Sequence, residues 1–222
     1  MEKDPYADII SQDEVHFMLG TLVTRSWYPI GSIPIVGSAP GKSGVPLSGF
    51  VSIKTGETII TNPERFTWES TIDAIRIFLK SYKRKRGHRI YMILDNASWH
   101  KKAKRMICDE KNSEYADIRE KVTFLDIPPY SPDLNPIEQL WRKARREVTH
   151  NRFFKNLDEL KSALASFFGK FITPNEEIST LCQFNFTKKV HSSAKQIWVG
   201  MEHKLFRKNM SRQSVDAVLV PI

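Results

Sequence analysis

The chain has 222 residues, 41% of them hydrophobic and 27% charged, the make-up of an ordinary globular protein with room for one domain and a full core but only marginally for two. Thirty-four Lys and Arg against 25 Asp and Glu leave a net charge of +9, the sign expected of a protein that meets polyanions. Cys108 and Cys182 give neither a disulfide framework nor a zinc-ligand spacing, no run nears the roughly 20 apolar residues of a membrane span, and Glu2, Lys3 and Asp4 leave no signal-peptide core. A soluble cytoplasmic protein is the expectation.

Taken in order, Ala7 to Leu19 reads as a first strand, Val23 to Ile30 as a second, and the Gly-, Pro- and Ser-rich stretch from Gly31 to Gly49 as a connection. Leu47 to Ile53 reads as a third strand, turning at Lys54-Thr55-Gly56 and continuing from Glu57 to Thr61. Short turns between early strands imply an antiparallel meander. The period then changes. Ile72, Ile75, Ile77, Phe78 and Leu79 mark an amphipathic helix over Thr67 to Tyr82, with Thr67 or Ser70 as its cap.

Arg89 to Leu94 is a short apolar strand that ends at Asp95, followed by a basic helix from His100 to about Lys111 and another strand from Lys121 to Ile127. A proline-rich turn leads to a helix from Pro136 to about Thr149, with Asn135 as N-cap and Pro136 in the first helical position. Asn156 opens a last helix whose apolar face is Leu157, Leu160, Leu164, Phe167 and Phe168. A strand meander followed by alternating helix and strand is an α/β arrangement around a mixed sheet. We place one domain over residues 1–173 and a C-terminal extension of uncertain structure over 174–222, where Trp198, Leu205 and Phe206 sit in a basic context.

The chemistry-bearing residues are acids. Asp95 follows an apolar strand, so its carboxylate emerges at the carboxyl edge of the sheet, where open α/β sheets hold their sites. Glu138 lies just inside the following helix, on a stripe with Arg142 and Arg145, beside the core stripe of Ile137, Trp141, Ala144 and Val148. A third acid is expected from the first strand, and Asp13 is the choice; Glu14, its neighbour, points to the opposite face of a regular strand. Three carboxylates at one edge suit a pair of divalent ions about 3.5–4 Å apart, the arrangement that cleaves phosphodiesters. Ten Lys or Arg lie between Lys80 and Arg105, with Asp95 the single acid, a pattern for holding phosphate beside one metal-binding group. The plainer readings are a solvated basic helix face, a strand-end acid at Asp13 and a surface Glu138–Arg142 pair. Asn96 reads as a brace for the Asp95 loop, Trp99 as core, and His100 as a substrate contact or a helix cap.

Four segments carry a family resemblance: Gln12-Asp-Glu-Val-His-Phe17, Leu94-Asp-Asn-Ala-Ser-Trp-His100, Pro128 to Trp141, and Thr149-His-Asn-Arg-Phe-Phe154 with Leu157 to Leu164 behind it. In this order, across roughly residues 8 to 170, they resemble the catalytic domain of DDE-type transposases, in the prokaryotic insertion-sequence branch of the mariner-like superfamily. The resemblance implies a ribonuclease-H-like fold and a catalytic, metal-binding triad of Asp13, Asp95 and Glu138. It also implies Mg²⁺ or Mn²⁺ as cofactor, two ions together, and strand cleavage at the ends of a mobile element followed by strand transfer. The expected partner is double-stranded DNA, both element ends and target, met by a homodimer through basic residues such as Lys101, Lys102, Arg142 and Arg145, with the protein nucleoid-associated when bound.

Two departures stand out. Forty-two residues separate Asp95 from Glu138, more than in related eukaryotic elements, with the added length placed around Asn112 to Glu120. Family members carry N-terminal helix-turn-helix modules, whereas Asp13 comes almost at once here; the expectation is a catalytic domain without its own recognition module, working with a separate helix-turn-helix protein. The alternatives are a stand-alone nuclease of the same fold and an inactive or repurposed DNA-binding remnant.

Overall fold

A computed structural model describes residues 6–25, 27, 30, 35–38, 43–83, 87–128 and 134–183. These lie within the first of two units of the chain, Met1–Phe184. The first strand, β1 (Ala7–Met18), pairs antiparallel with β2 (Gly44–Ser52), which pairs antiparallel with β3 (Thr58–Thr61). On its other side β1 pairs parallel with β4 (Arg89–Leu94), and β4 with β5 (Val122–Asp126). The sheet order is β3-β2-β1-β4-β5, a three-strand meander extended by two parallel strands. This is the ribonuclease-H-like arrangement.

Both faces of the sheet are covered. Side chains alternate along a strand, so Ile10 of β1 and Phe50 of β2 join one apolar cluster while Val15, Phe17, Leu47 and Val51 join the other. The first cluster is roofed by α1 (Trp68–Ser81), α2 (Ser98–Cys108) and the single turn α3 (Ala116–Arg119). Helix α1 starts with a capping box: Ser70 N–H donates to Thr67 Oγ1 at 3.2 Å and Thr67 N–H to Ser70 Oγ at 2.9 Å. Its Phe78 stacks on Phe50, ring centroids 4.8 Å apart.

The second cluster lies under α4 (Ile137–Ala144), α5 (Leu157–Phe168) and α6 (Glu176–Leu181). Ile137, Trp141, Ala144 and Val148 are all buried, as the spacing of four, three and four predicts. Helix α5 is capped by Asn156, whose side chain accepts from Glu159 N–H at 2.9 Å, and buries Leu160, Leu164, Phe167 and Phe168. Helix α6, past Pro174, sends Ile178 into the same core, with Cys182 just behind it, and Asn175 N–H donates to Thr55 O at 2.8 Å.

The structure corrects two local readings. Among the described residues of the expected strand Val23–Ile30 none is in a strand; the neighbouring Leu22 makes one isolated parallel bridge to His150 instead. Helix α4 begins one residue later than the sequence suggests, with Pro136 in the cap position. Asn135 does not cap it, because β1 has taken its side chain: Ser11 Oγ donates to Asn135 Oδ1, and Asn135 Nδ2 donates to Gln12 O at 3.2 Å. The helix continues past Ala144 as a π turn, Arg145–Thr149. Most of the proline-rich turn, at 129–133, and the tail with Trp198, Leu205 and Phe206 lie outside the described residues.

Candidate active site

The carboxyl edge of the sheet gathers acids because of register. Ser11 of β1 lies beside Ile93 of β4; two steps further along these parallel strands stand Asp13 and Asp95. Asp13 shares the Ser11 face of β1, the face covered by α4. Ser11 Oγ also accepts from Ile137 N–H at 3.2 Å, satisfying an amide at the start of α4 that the helix itself leaves open. That bond moors the helix to β1 one residue before Glu138.

Asp13 is 9% exposed. Its carboxyl is pushed from an ordinary 3.8 up to about 8, first by burial and then by the negative charge of Glu138, with Glu14 and Asp95 adding to the rise against a hydrogen bond from the Glu14 backbone. Asp13 thus feels the charges of both other acids chosen from sequence. Asp95 differs: burial pulls its carboxyl up, but hydrogen bonds from His100 and Ala97 N–H, with the charges of His100 and Lys104, outweigh that and hold it low. Its side chain is 46% exposed, open to a ligand.

Glu14 faces the other side of the sheet, as strand alternation requires, and there meets α2. Both its oxygens lie within 2.9 Å of His100 Nε2; it also accepts from Gln12 Nε2 at 2.7 Å and Trp99 Nε1 at 3.1 Å. His100 Nδ1 stands 2.5 Å from Asp95 Oδ1. The ring, buried completely, bridges the two acids. Burial alone would lower its pKa, but the hydrogen bonds and charges of Asp95 and Glu14 raise it from 6.5 to about 9. This bridge is not visible in the sequence, because its partners lie 86 positions apart. Asn96 does act as a brace, donating through Nδ2 to Ile127 O. Asp126, at the same edge, is paired with Lys104.

The donor set suits a hard divalent cation, being oxygen-rich and over-supplied with negative charge. Among the described residues no three His, Cys, Asp or Glu side chains form a ready-made metal cage. A site that takes substrate phosphate and water as its remaining ligands needs none.

The basic residues chosen from sequence lie on two helices. Lys101 and Lys102 are exposed on α2, with Lys102 Nζ 4.6 Å from the Trp68 ring centre. Arg142 is exposed on α4; Arg145, at the start of the π turn, is half-buried with its guanidinium 5.9 Å from the Phe17 ring centre.

A family model described as DDE superfamily endonuclease matches residues 8–161. The chain belongs to that family. The solved structures that resemble it include the Mos1 mariner paired-end complex with Mn, at 17% identity and TM-score 0.54, covering 78% of this chain and 50% of that one. The Mos1 strand transfer complex gives 16% identity and TM-score 0.52 over 82% of this chain and 53% of the other. At such identity the likeness establishes the fold. A curated relative, the uncharacterised protein y4pE/y4sA of Sinorhizobium fredii (strain NBRC 101917 / NGR234), is 30% identical over 86 residues, 39% of this chain and 56% of that protein. The chain spans about half the length of the relatives it matches.

No helix among the described residues is long and apolar enough to cross a membrane.

Proposed function

We propose that this chain is the catalytic domain of a metal-dependent DNA transposase, with Asp13, Asp95 and Glu138 holding Mg²⁺ or Mn²⁺. The observation that carries the reading is the Asp13 carboxyl, buried and raised to about 8 in the company of Glu138, Glu14 and Asp95. Holding that carboxylate ionised, so buried and beside those charges, is costly unless a cation offsets it. The bound ions, a pair on this reading, would activate the attacking oxygen and stabilise the leaving oxygen of the phosphodiester.

The protein's own part is positioning. Helix α4, moored through Ser11, delivers Glu138 beside β1; the α2 side of the sheet holds Asp95. Because Asp13 favours its protonated form, loading the site requires loss of that proton, and metal affinity rises with pH. Lys101, Lys102, Arg142 and Arg145 contact the DNA backbone on this reading, as point charges or planar forks. The related Mos1 structures are paired-end and strand-transfer complexes, and we extend that assembly to this chain: two copies on paired element ends, aided by a separate recognition protein.

The test is cleavage of element-end and unrelated duplexes, with Mg²⁺ or Mn²⁺, in a reconstituted full-length context. The reading expects end-directed nicking and strand transfer that Asp95→Ala abolishes; activity retained by Asp95→Ala refutes it. Equal cleavage of both duplexes by this chain alone identifies the stand-alone nuclease. The second reading is a remnant that only binds DNA through its basic surface; it expects salt-sensitive binding unaltered by metal or by replacing the acids.

A further inference from the structure

We propose that His100, with Glu14 behind it, is a positioning residue that fixes the Asp95 carboxylate so that one oxygen remains directed to the reaction's cation. This rests on the functional reading above and adds a role for two residues outside the triad.

The geometry is that of a clamp. Asp95 Oδ1 accepts from His100 Nδ1 at 2.5 Å and from Ala97 N–H at 2.9 Å. Two donors on the same oxygen set the side-chain torsion and leave Oδ2 for the site. His100 is itself held, because its Nε2 lies 2.9 Å and 2.8 Å from the two oxygens of Glu14. Glu14 takes further bonds from Gln12 Nε2 and Trp99 Nε1, so its oxygens are occupied and it serves as an anchor.

Strand alternation makes this possible. One acid of the Asp13-Glu14 pair faces the site and the other faces α2, so one short stretch of β1 supplies both a candidate ligand and the anchor for the group that orients another. An imidazole fits because its two ring nitrogens point apart, one towards each carboxylate. A lysine would offer one point charge, and an apolar side chain would fill the space without orienting anything. Burying a histidine between two acids is an expensive way to fill a core, whereas an outer partner that orients a metal-binding carboxylate typically governs 10–100-fold in metal affinity or activity.

The experiment is a Mn²⁺ titration of the full chain, read by water-proton relaxation, with folding checked by thermal melting. Asp95→Asn tests the underlying reading and is expected to abolish binding at the site. His100→Ala is expected to weaken Mn²⁺ binding about 10-fold or more at a temperature where it remains folded. Glu14→Gln, which keeps the shape, should weaken it less, and adding Glu14→Gln to His100→Ala should cost nothing further, because Glu14 acts through the ring. Should His100→Ala fail to fold, Glu14→Gln decides in the same assay. Wild-type Mn²⁺ affinity in every folded clamp variant, alongside lost binding in Asp95→Asn, overturns the clamp alone. Wild-type affinity in Asp95→Asn overturns the functional reading instead.

Discussion

Gly49 lies directly beneath the indole of Trp141: a β-carbon at position 49 would fall 2.3 Å from Trp141 Cη2 and 2.8 Å from Cζ2. Gly49 is also the antiparallel partner of Asp13. The glycine therefore lets α4 settle onto the sheet at the level where the candidate site is built. Gly49→Ala forces the indole and its helix to shift, an overpacking that costs about 1–3 kcal/mol. Denaturant unfolding should show that loss, and metal-dependent cleavage should fall with it because Glu138 rides on the same helix; unchanged values for both would mean the ring does not rest there.

The sign of the pH response follows from two raised groups. Asp13, at about 8 when folded against an ordinary 3.8, keeps its proton where the unfolded chain has lost it, so stability falls as pH rises between those values. His100, raised from 6.5 to about 9, supplies stability that is full below 6.5 and lost as pH climbs through 9. Metal-free protein should thus weaken steadily from pH 5 to pH 9 in urea titrations. Asp13→Asn should remove the fall between pH 3.8 and 6.5, where Asp13 acts alone, and leave the histidine's fall from 6.5 to about 9. A wild-type profile in that variant would show that Asp13 is not the strained acid.

Both the legible and the illegible parts of this molecule have physical causes. Apolar runs announced β1, β4 and β5, and the core stripe of α4 was readable to the residue, because burial on one face imposes its period on any sequence. Thr67, one of the two caps offered for its helix, and Asn156 both cap as local patterns suggest, since those bonds span only three residues. Asn135 has the same local look but serves β1, 123 and 124 positions away; no local rule contains that competitor. The clamp of His100 between Asp95 and Glu14 was hidden for the same reason. The strand read over Val23–Ile30 has the right composition, yet among its described residues Val23 is 72% exposed and Trp27 fully so. A strand needs a neighbour, and composition does not supply one.

The two thiols should separate cleanly. Cys108 is exposed, whereas Cys182 is buried and its thiol is pushed up to about 12 by that burial. Native protein should react with one equivalent of a thiol reagent, at Cys108 by peptide mapping, and with a second only after unfolding. Fast native labelling of Cys182 would show that the core around α6 opens readily.

Each DNA-contacting cation should register in the salt dependence of binding. Replacing Lys101 or Arg142 by Ala should weaken binding to any duplex and lower the slope of log K against log salt by about 0.9 per phosphate contact. Arg145→Ala should in addition cost stability, because its guanidinium lies against Phe17. A slope unaltered by all of these substitutions would move the DNA path to another face.

Anomalous scattering from crystals soaked in Mn²⁺ at pH 8 or above would locate the cation itself. Manganese density is expected in contact with the Asp13 carboxylate, with Asp95 and Glu138 around it. Manganese found only elsewhere, with Asp13 unliganded under those conditions, would contradict that placement.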